Sequence, residues 1–144
     1  MQHSQVLKNY INGALVKAHT QDYFDLINPA TEEVIAQSPN SSQADIDHAY
    51  QAAHEAFKTW GRTTPSVRQK ALLDLADAIE KHSQELVDSQ SRNTGQPKHL
   101  IASEEVAVCA DQIRFFAGAA RMLEGKATAE YMEDLTSSIR REPL

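Results

Sequence analysis

The hydrophobic period of this chain changes once, just after Pro39, and that single change limits what the chain can become. Before Pro39 the apolar residues fall in short clusters separated by turn-forming residues; beyond it they recur at the 3.6-residue spacing of helices. Residues 6 to 37 therefore read as a small meander of three or four strands. Val6 to Val16 carries Tyr10, Ile11, Leu15 and Val16 around Asn12-Gly13, and an Asn-Gly pair between apolar runs predicts a two-residue hairpin turn. Tyr23 to Ile27 then runs into Asn28-Pro29-Ala30-Thr31, where Pro29 fixes φ for a turn, and Glu33 to Ala36 resumes as a strand.

Three helices are expected next. Ile46, Ala49, Tyr50, Ala53, Phe57 and Trp60 form one face of a helix over 43–60. Ser42 and Asp45 are spaced as an acidic variant of the capping box, and Gly61 offers a left-handed stop. A second helix, 65–92, starts from the hydroxyl of Thr64 with Pro65 at its first position. Its buried stripe holds Ala71, Leu72, Leu75, Ala76, Ile79, Leu86 and Val87, and Asn93-Thr94-Gly95-Gln96-Pro97 ends it. A third, about 103–124 and beginning near Ser103 or a little earlier, carries Val106, Cys109, Ala110, Ile113, Phe116, Ala117, Ala120 and Leu123 up to Gly125. Residues 131–144 are expected to add one further strand.

Composition narrows the function. A chain of 144 residues with 41% hydrophobic content suits one domain with a real core. The formal charge of −6, with basic residues scattered, argues against nucleic acid as a partner. The sequence has no apolar run of membrane-spanning length and no apolar leader in its first 20 residues, so no membrane partner is expected and a cytoplasmic setting is. One cysteine cannot make an intramolecular disulfide or, by itself, a zinc site.

The usual chemical motifs are missing. Glycines at 13, 61, 95, 118 and 125 are too far apart for a phosphate-cradling loop. His48 and His54 are not at the i, i+4 spacing of a helical metal pair. Cys109, between Val108 and Ala110, reads as a small buried thiol. No nucleophile, base and cofactor loop can be assembled into a catalytic set.

Taken in order, however, several short segments resemble the opening of the aldehyde dehydrogenase superfamily. They are the early Asn-Gly, Ile27-Asn28-Pro29-Ala30-Thr31, Ala56-Phe57, Trp60, Pro65, Arg68 and the run Leu72 to Glu80. Gly95, Pro97, Arg114-Phe115-Phe116-Ala117-Gly118-Ala119-Ala120-Arg121 and Arg140-Arg141-Glu142-Pro143-Leu144 continue the order. The resemblance implies an aldehyde dehydrogenase-like α/β fold, of which this would be the N-terminal portion: strand meander, three helices and a terminal strand of the kind through which subunits pair. It implies a longer, homo-oligomeric enzyme in which a cysteine thiolate attacks the aldehyde, hydride passes to NAD or NADP, and a glutamate activates water. Those groups, the catalytic domain and the nucleotide-binding core would lie beyond Leu144, so the chain alone is expected to hold no catalytic residue, bind no cofactor and be inactive. The branch most resembled oxidises γ-aminobutyraldehyde, related aminoaldehydes or betaine aldehyde. By the same resemblance, Val108 and Glu105 would border the substrate tunnel, with Glu105 holding an ammonium group, and the Ile27 carbonyl and Asn93 would match a monovalent cation site. The alternative expectation is a noncatalytic helical module that pairs with a full-length aldehyde dehydrogenase.

Overall fold

A computed structural model describes residues 5–122 and 128–139. Five strands come first: β1 (Gln5–Val6), β2 (Asn9–Ile11), β3 (Ala14–Val16), β4 (Tyr23–Ile27) and β5 (Val34–Pro39). Helices α1 (Gln43–Trp60), α2 (Pro65–Lys81) and α3 (Ser83–Thr94) follow, then the single turn α4 (Lys98–Leu100), a π-helix (Ile101–Val106) and α5 (Ala107–Ala119). Two strands, β6 (Thr128–Met132) and β7 (Leu135–Ser138), complete the described chain.

The expected hairpin is present: β2 and β3 pair antiparallel, and Asn12 and Gly13 take φ of 51° and 78°, both left-handed as a type I′ turn requires. The β4–β5 turn is also where proline placed it. The Asn28 amide donates to the Glu33 carbonyl at 2.9 Å, and the Asn28 side chain accepts from the Ala30 amide at 2.9 Å. The strands are nevertheless not a meander. β1 skips the hairpin and pairs parallel with β5, giving the order β1-β5-β4. Alternation tells which residues share a face, not which strand is the neighbour, so this pairing left no mark on the hydrophobic pattern.

The terminal strand is likewise a hairpin. β6 and β7 pair antiparallel across Glu133-Asp134, where Asp134 adopts φ of 62°, a conformation that aspartate tolerates better than most residues. The Arg140–Leu144 segment, Leu123 and Gly125 lie outside the described residues.

At the start of α1 the reciprocal capping box forms: the Ser42 hydroxyl accepts from the Asp45 amide, and the Asp45 carboxylate accepts from the Ser42 amide at 2.9 Å. Asp45 does more than cap. It is only 3% exposed, and its other oxygen accepts from the His19 amide at 3.0 Å and from His19 Nδ1 at 2.7 Å. An ionised carboxylate can only accept, so Nδ1 carries the proton in this bond. The His19 bond, with those from Ser42, holds the Asp45 carboxyl well below the ordinary carboxylate range. The segment before β4 is thereby tied to the first turn of α1.

α1 and the start of α2 keep their expected bounds, but the chemistry at those two ends differs from the expectation, and two further boundaries move. Gly61 is right-handed, at φ −59°, and α1 ends through tight turns in which the Arg62 amide donates to the Thr59 carbonyl at 3.1 Å and the Thr63 amide to that of Trp60 at 3.0 Å. A Cβ at Gly61 would meet the Phe57 ring at 2.8 Å, so glycine serves packing there and not handedness. The Thr64 hydroxyl bonds Ser66 Oγ at 2.9 Å instead of capping an amide. The second helix breaks at His82, φ −104° and ψ 18°, into α2 and α3. Neither His82 nor Ser83 forbids a helix, but both are weak helix formers, and the break turns Val87 toward Ile101 and Val106. Finally, the third helix begins at Lys98, directly after Pro97, and passes through the π-helix before becoming α-helical. A 3.6-residue template cannot register that segment, because it is wound with i→i+5 bonds, as from the Ala107 amide to the Ala102 carbonyl.

The frame of the helical layer is the antiparallel pair α2 and α5. Ala76, Ala110 and Ala117 are wholly buried, and their small side chains let the two helices approach closely. Arg114 spans the contact, its guanidinium bonding Asp77 at 2.7 Å and Glu80 at 2.6 Å. These bonds hold the Glu80 carboxyl below its usual range and raise Arg114 further. Beside this pair, Val87, Ile101 and Val106 form a cluster with Ile79 packed against it. The buried line on the third helix is therefore Val106, Ala110 and Ala117, with Ile113 partly covered. Cys109 and Phe116, expected in the core, sit one position off that line and are exposed. The α1 stripe forms as predicted but stays uncovered: Ile46, Tyr50, Phe57 and Trp60 are 44% to 76% exposed.

Two outcomes follow. Because the Asp45 carboxyl is depressed in the folded chain, its stabilising contribution is in full force above the unfolded value near ~4 and is lost as pH falls further. Thermal unfolding of Asp45→Asn should accordingly show a lower midpoint than the parent at pH 7, with the difference shrinking toward pH 2. Ala110→Leu, by forcing α2 and α5 apart, should cost about 1–3 kcal/mol in urea unfolding, whereas an exposed control such as Lys70→Ala should shift little.

Candidate functional site

A groove of about 740 Å³ opens between the β1-β5-β4 sheet and the helical layer. Leu7, Leu26 and Ile35 line it from the strand side, and Ile79, Leu86 and Val106 from the helices. Polar side chains, among them Gln90, Arg92, Asn93 and Glu105, occupy one part of its wall. Its size and mixed lining fall in the range of small-molecule sites.

The end of α3 sets this polar part in place. Gly95 follows α3 at φ 75°, and a Cβ on it would stand 3.0 Å from Pro29 Cγ. Glycine thus answers two demands, left-handed backbone and close approach to the β4–β5 turn. Asn93, two residues earlier, reaches the groove in consequence. On the opposite side Lys98 pairs with Asp88 at 2.7 Å, binding α4 to α3 and, with Gln84, drawing the Asp88 carboxyl below its usual range.

Glu105 stands in the π-helix, partly buried, facing the groove. Its carboxylate accepts from the Gln96 side-chain amide at 2.8 Å and from that of Gln90. Val108 is 41% exposed and is not part of the groove lining, so the structure does not bring the expected pair into one wall. The i, i+3 argument for a shared face assumed continuous α-helix, and the change from π to α winding between them alters the angle. Of the other expected pair, Asn93 lines the groove, while Ile27 is 54% exposed beyond a bulge at Leu26/Ile27, and Leu26 takes the lining position. Among the described residues no three His, Cys, Asp or Glu side chains gather to hold a metal. The exposed thiol of Cys109 also lines the groove.

A smaller cavity of about 330 Å³ lies beyond Val106, lined by Ser83, Gln84, Ala102 and Ala107, with Glu80 already engaged by Arg114. Val106 touches both spaces, so the π-helix is the partition between them. Sequence reasoning missed Gln90 and Gln96, the partners of Glu105. The available signal was Gln96 inside the turn Asn93–Pro97, where a residue after a left-handed glycine is held in a fixed direction.

Among the described residues the glycines do not make a dinucleotide cradle. Gly13 lies in a hairpin, Gly61 and Gly95 follow helices, and Gly118 is within α5. No described glycine sits where a strand turns into a helix N-terminus, and the first amides of α1 are engaged by Ser42 and its own box. The described residues do not fit a nicotinamide dinucleotide by themselves.

A sequence model of the Aldehyde dehydrogenase family matches residues 15–144. The chain belongs to that family. A malonate-semialdehyde dehydrogenase of Bacillus subtilis (strain 168) is 36% identical over 138 residues, 96% of this chain and 28% of that protein. Aldehyde dehydrogenase 1 of Tanacetum cinerariifolium is 36% identical over 139 residues, again 28% of the relative's length. Among solved structures, the NAD+ complex of an aldehyde dehydrogenase from Bacillus cereus superposes with TM-score 0.83 at 30% identity. It covers 92% of this chain and 27% of that one. The lactaldehyde dehydrogenase of Escherichia coli gives 0.83 at 29% identity, with 90% and 27% covered. The chain thus spans somewhat over a quarter of the relatives it matches, and the aldehyde dehydrogenase-like α/β fold is shown for nearly all of it.

Gly95→Ala should cost at least about 1 kcal/mol in chemical denaturation, since alanine is strained at φ 75° and its Cβ would press on Pro29. Gly118→Ala, in a helix with open space around it, should be neutral or stabilising.

Proposed function

We propose that this chain supplies the N-terminal scaffold of an NAD(P)-linked aldehyde dehydrogenase that oxidises an aminoaldehyde such as γ-aminobutyraldehyde to its acid. In that reaction aldehyde, water and oxidised cofactor give carboxylate, reduced cofactor and protons. The observation that carries the general reading is the family match over residues 15–144. The Bacillus cereus relative, solved as its NAD+ complex, supports the cofactor class. The nucleophile, the base and the cofactor cradle belong to the larger enzyme in this reading, which works as a cytoplasmic homo-oligomer, and the chain alone is inactive.

Glu105 supports the amine. It is the carboxylate in the groove wall, and each of its oxygens accepts one amide, which leaves lone pairs for an ammonium donor. Arg92 supports a second reading. It lines the same groove, and a guanidinium there suits a carboxylated semialdehyde, the substrate type named for the Bacillus subtilis relative.

The test is a chimera in which this chain replaces the corresponding segment of the Bacillus cereus enzyme. The chimera should oxidise aldehydes with NAD+, while the 144-residue chain alone should form no NADH. Glu105→Gln should raise KM for γ-aminobutyraldehyde about tenfold and leave propionaldehyde unchanged. Equal effects on both would refute the role of Glu105, and a selective loss of malonate semialdehyde oxidation in Arg92→Gln would favour the second reading.

A further inference from the structure

The π-helix at the groove wall is an uncommon winding that needs a cause, because i→i+5 bonds are less favourable than those of an α-helix and appear mostly in short inserts. Two contacts lie on it. Ile101, at its start, is fully buried against Val87 and Val106, and Glu105, near its end, is joined to two glutamines. Those glutamines are themselves linked: Gln90 Nε2 donates to Gln96 Oε1 at 3.1 Å as well as to Glu105. Gln96 is fixed further, its carbonyl accepting from Ser91 Oγ at 2.8 Å and its side-chain oxygen from Thr94 Oγ1 at 3.1 Å.

We propose that Gln90 and Gln96 are positioning residues that clamp the Glu105 carboxylate and so hold residues 101–106 in the π-helical register. Rewinding this segment as α-helix would drop one residue from the turn and rotate one end against the other by about 100°. Ile101 could then stay in the core, or Glu105 could stay on the glutamines, but not both. The triangle of Gln90, Gln96 and Glu105 therefore decides which way Glu105 faces. This bears on the aminoaldehyde reading only through the direction of that carboxylate, and it is tested without substrate, so either idea can fail alone.

The measurement is peptide-resolved amide hydrogen exchange on the 144-residue chain and its variants. Gln96→Glu sets two carboxylates against each other and should speed exchange across 98–107 about tenfold. Adding Glu105→Gln restores an amide–carboxylate pair with the roles reversed, and exchange should return to near the parent rate. Unchanged exchange in Gln96→Glu, or a double variant no slower than the single, overturns the proposal. Should Gln96→Glu fail to fold, Gln96→Ala replaces it. Faster exchange confined to 98–107 then supports the clamp, and exchange unchanged there, or raised equally in α1, overturns it.

Discussion

The close contact between α2 and α5 is the constraint on which the rest of the structure depends. It rests on three alanines, Ala76, Ala110 and Ala117, with no exposed surface, so the helix backbones approach as nearly as their side chains permit. Arg114 fixes the register of the pair by engaging Asp77 and Glu80, one helical turn apart. With α5 held there, the chain leading into it must run past the end of α3, and the π-helix is where that path is accommodated. The groove follows as the space left between this helical frame and the sheet.

The relation to the aldehyde dehydrogenase family gives this architecture its sense. The chain spans about 28% of the length of the curated relatives it matches, and many of its largest side chains lie uncovered. Tyr50, Phe57, Trp60, Phe115 and Phe116 are all 45% or more exposed, while the fully buried positions are mostly alanine. Hydrophobic stabilisation scales with the apolar area removed from water, so this chain draws it from a small core set between larger uncovered faces.

Much of this was legible in the residues themselves. Asn12-Gly13, Pro29, the Ser42–Asp45 box and Pro65 each act through local backbone chemistry, and each appears where it was read. What stayed hidden depends on partners distant in sequence. The parallel pairing of β1 with β5, the bond from His19 to Asp45 across 26 residues and the glutamines on Glu105 have no periodic trace. The π-helix was concealed for another reason, since one extra residue ahead of α5 shifts the helical phase and leaves Val108 outside the groove that Glu105 lines. The terminal hairpin has a local mark in Glu133-Asp134, where aspartate takes the left-handed turn position, but a single aspartate is also compatible with a continuous strand.

The claim that α2 and α5 form the frame is tested most directly by native-state hydrogen exchange of the intact chain, resolved residue by residue. Amides of 72–80 and 109–117 should be the last to exchange, opening only with global unfolding, while α1 and the β6–β7 hairpin exchange earlier through local opening. Protection in α1 equal to or greater than that in α2 and α5 would contradict the account.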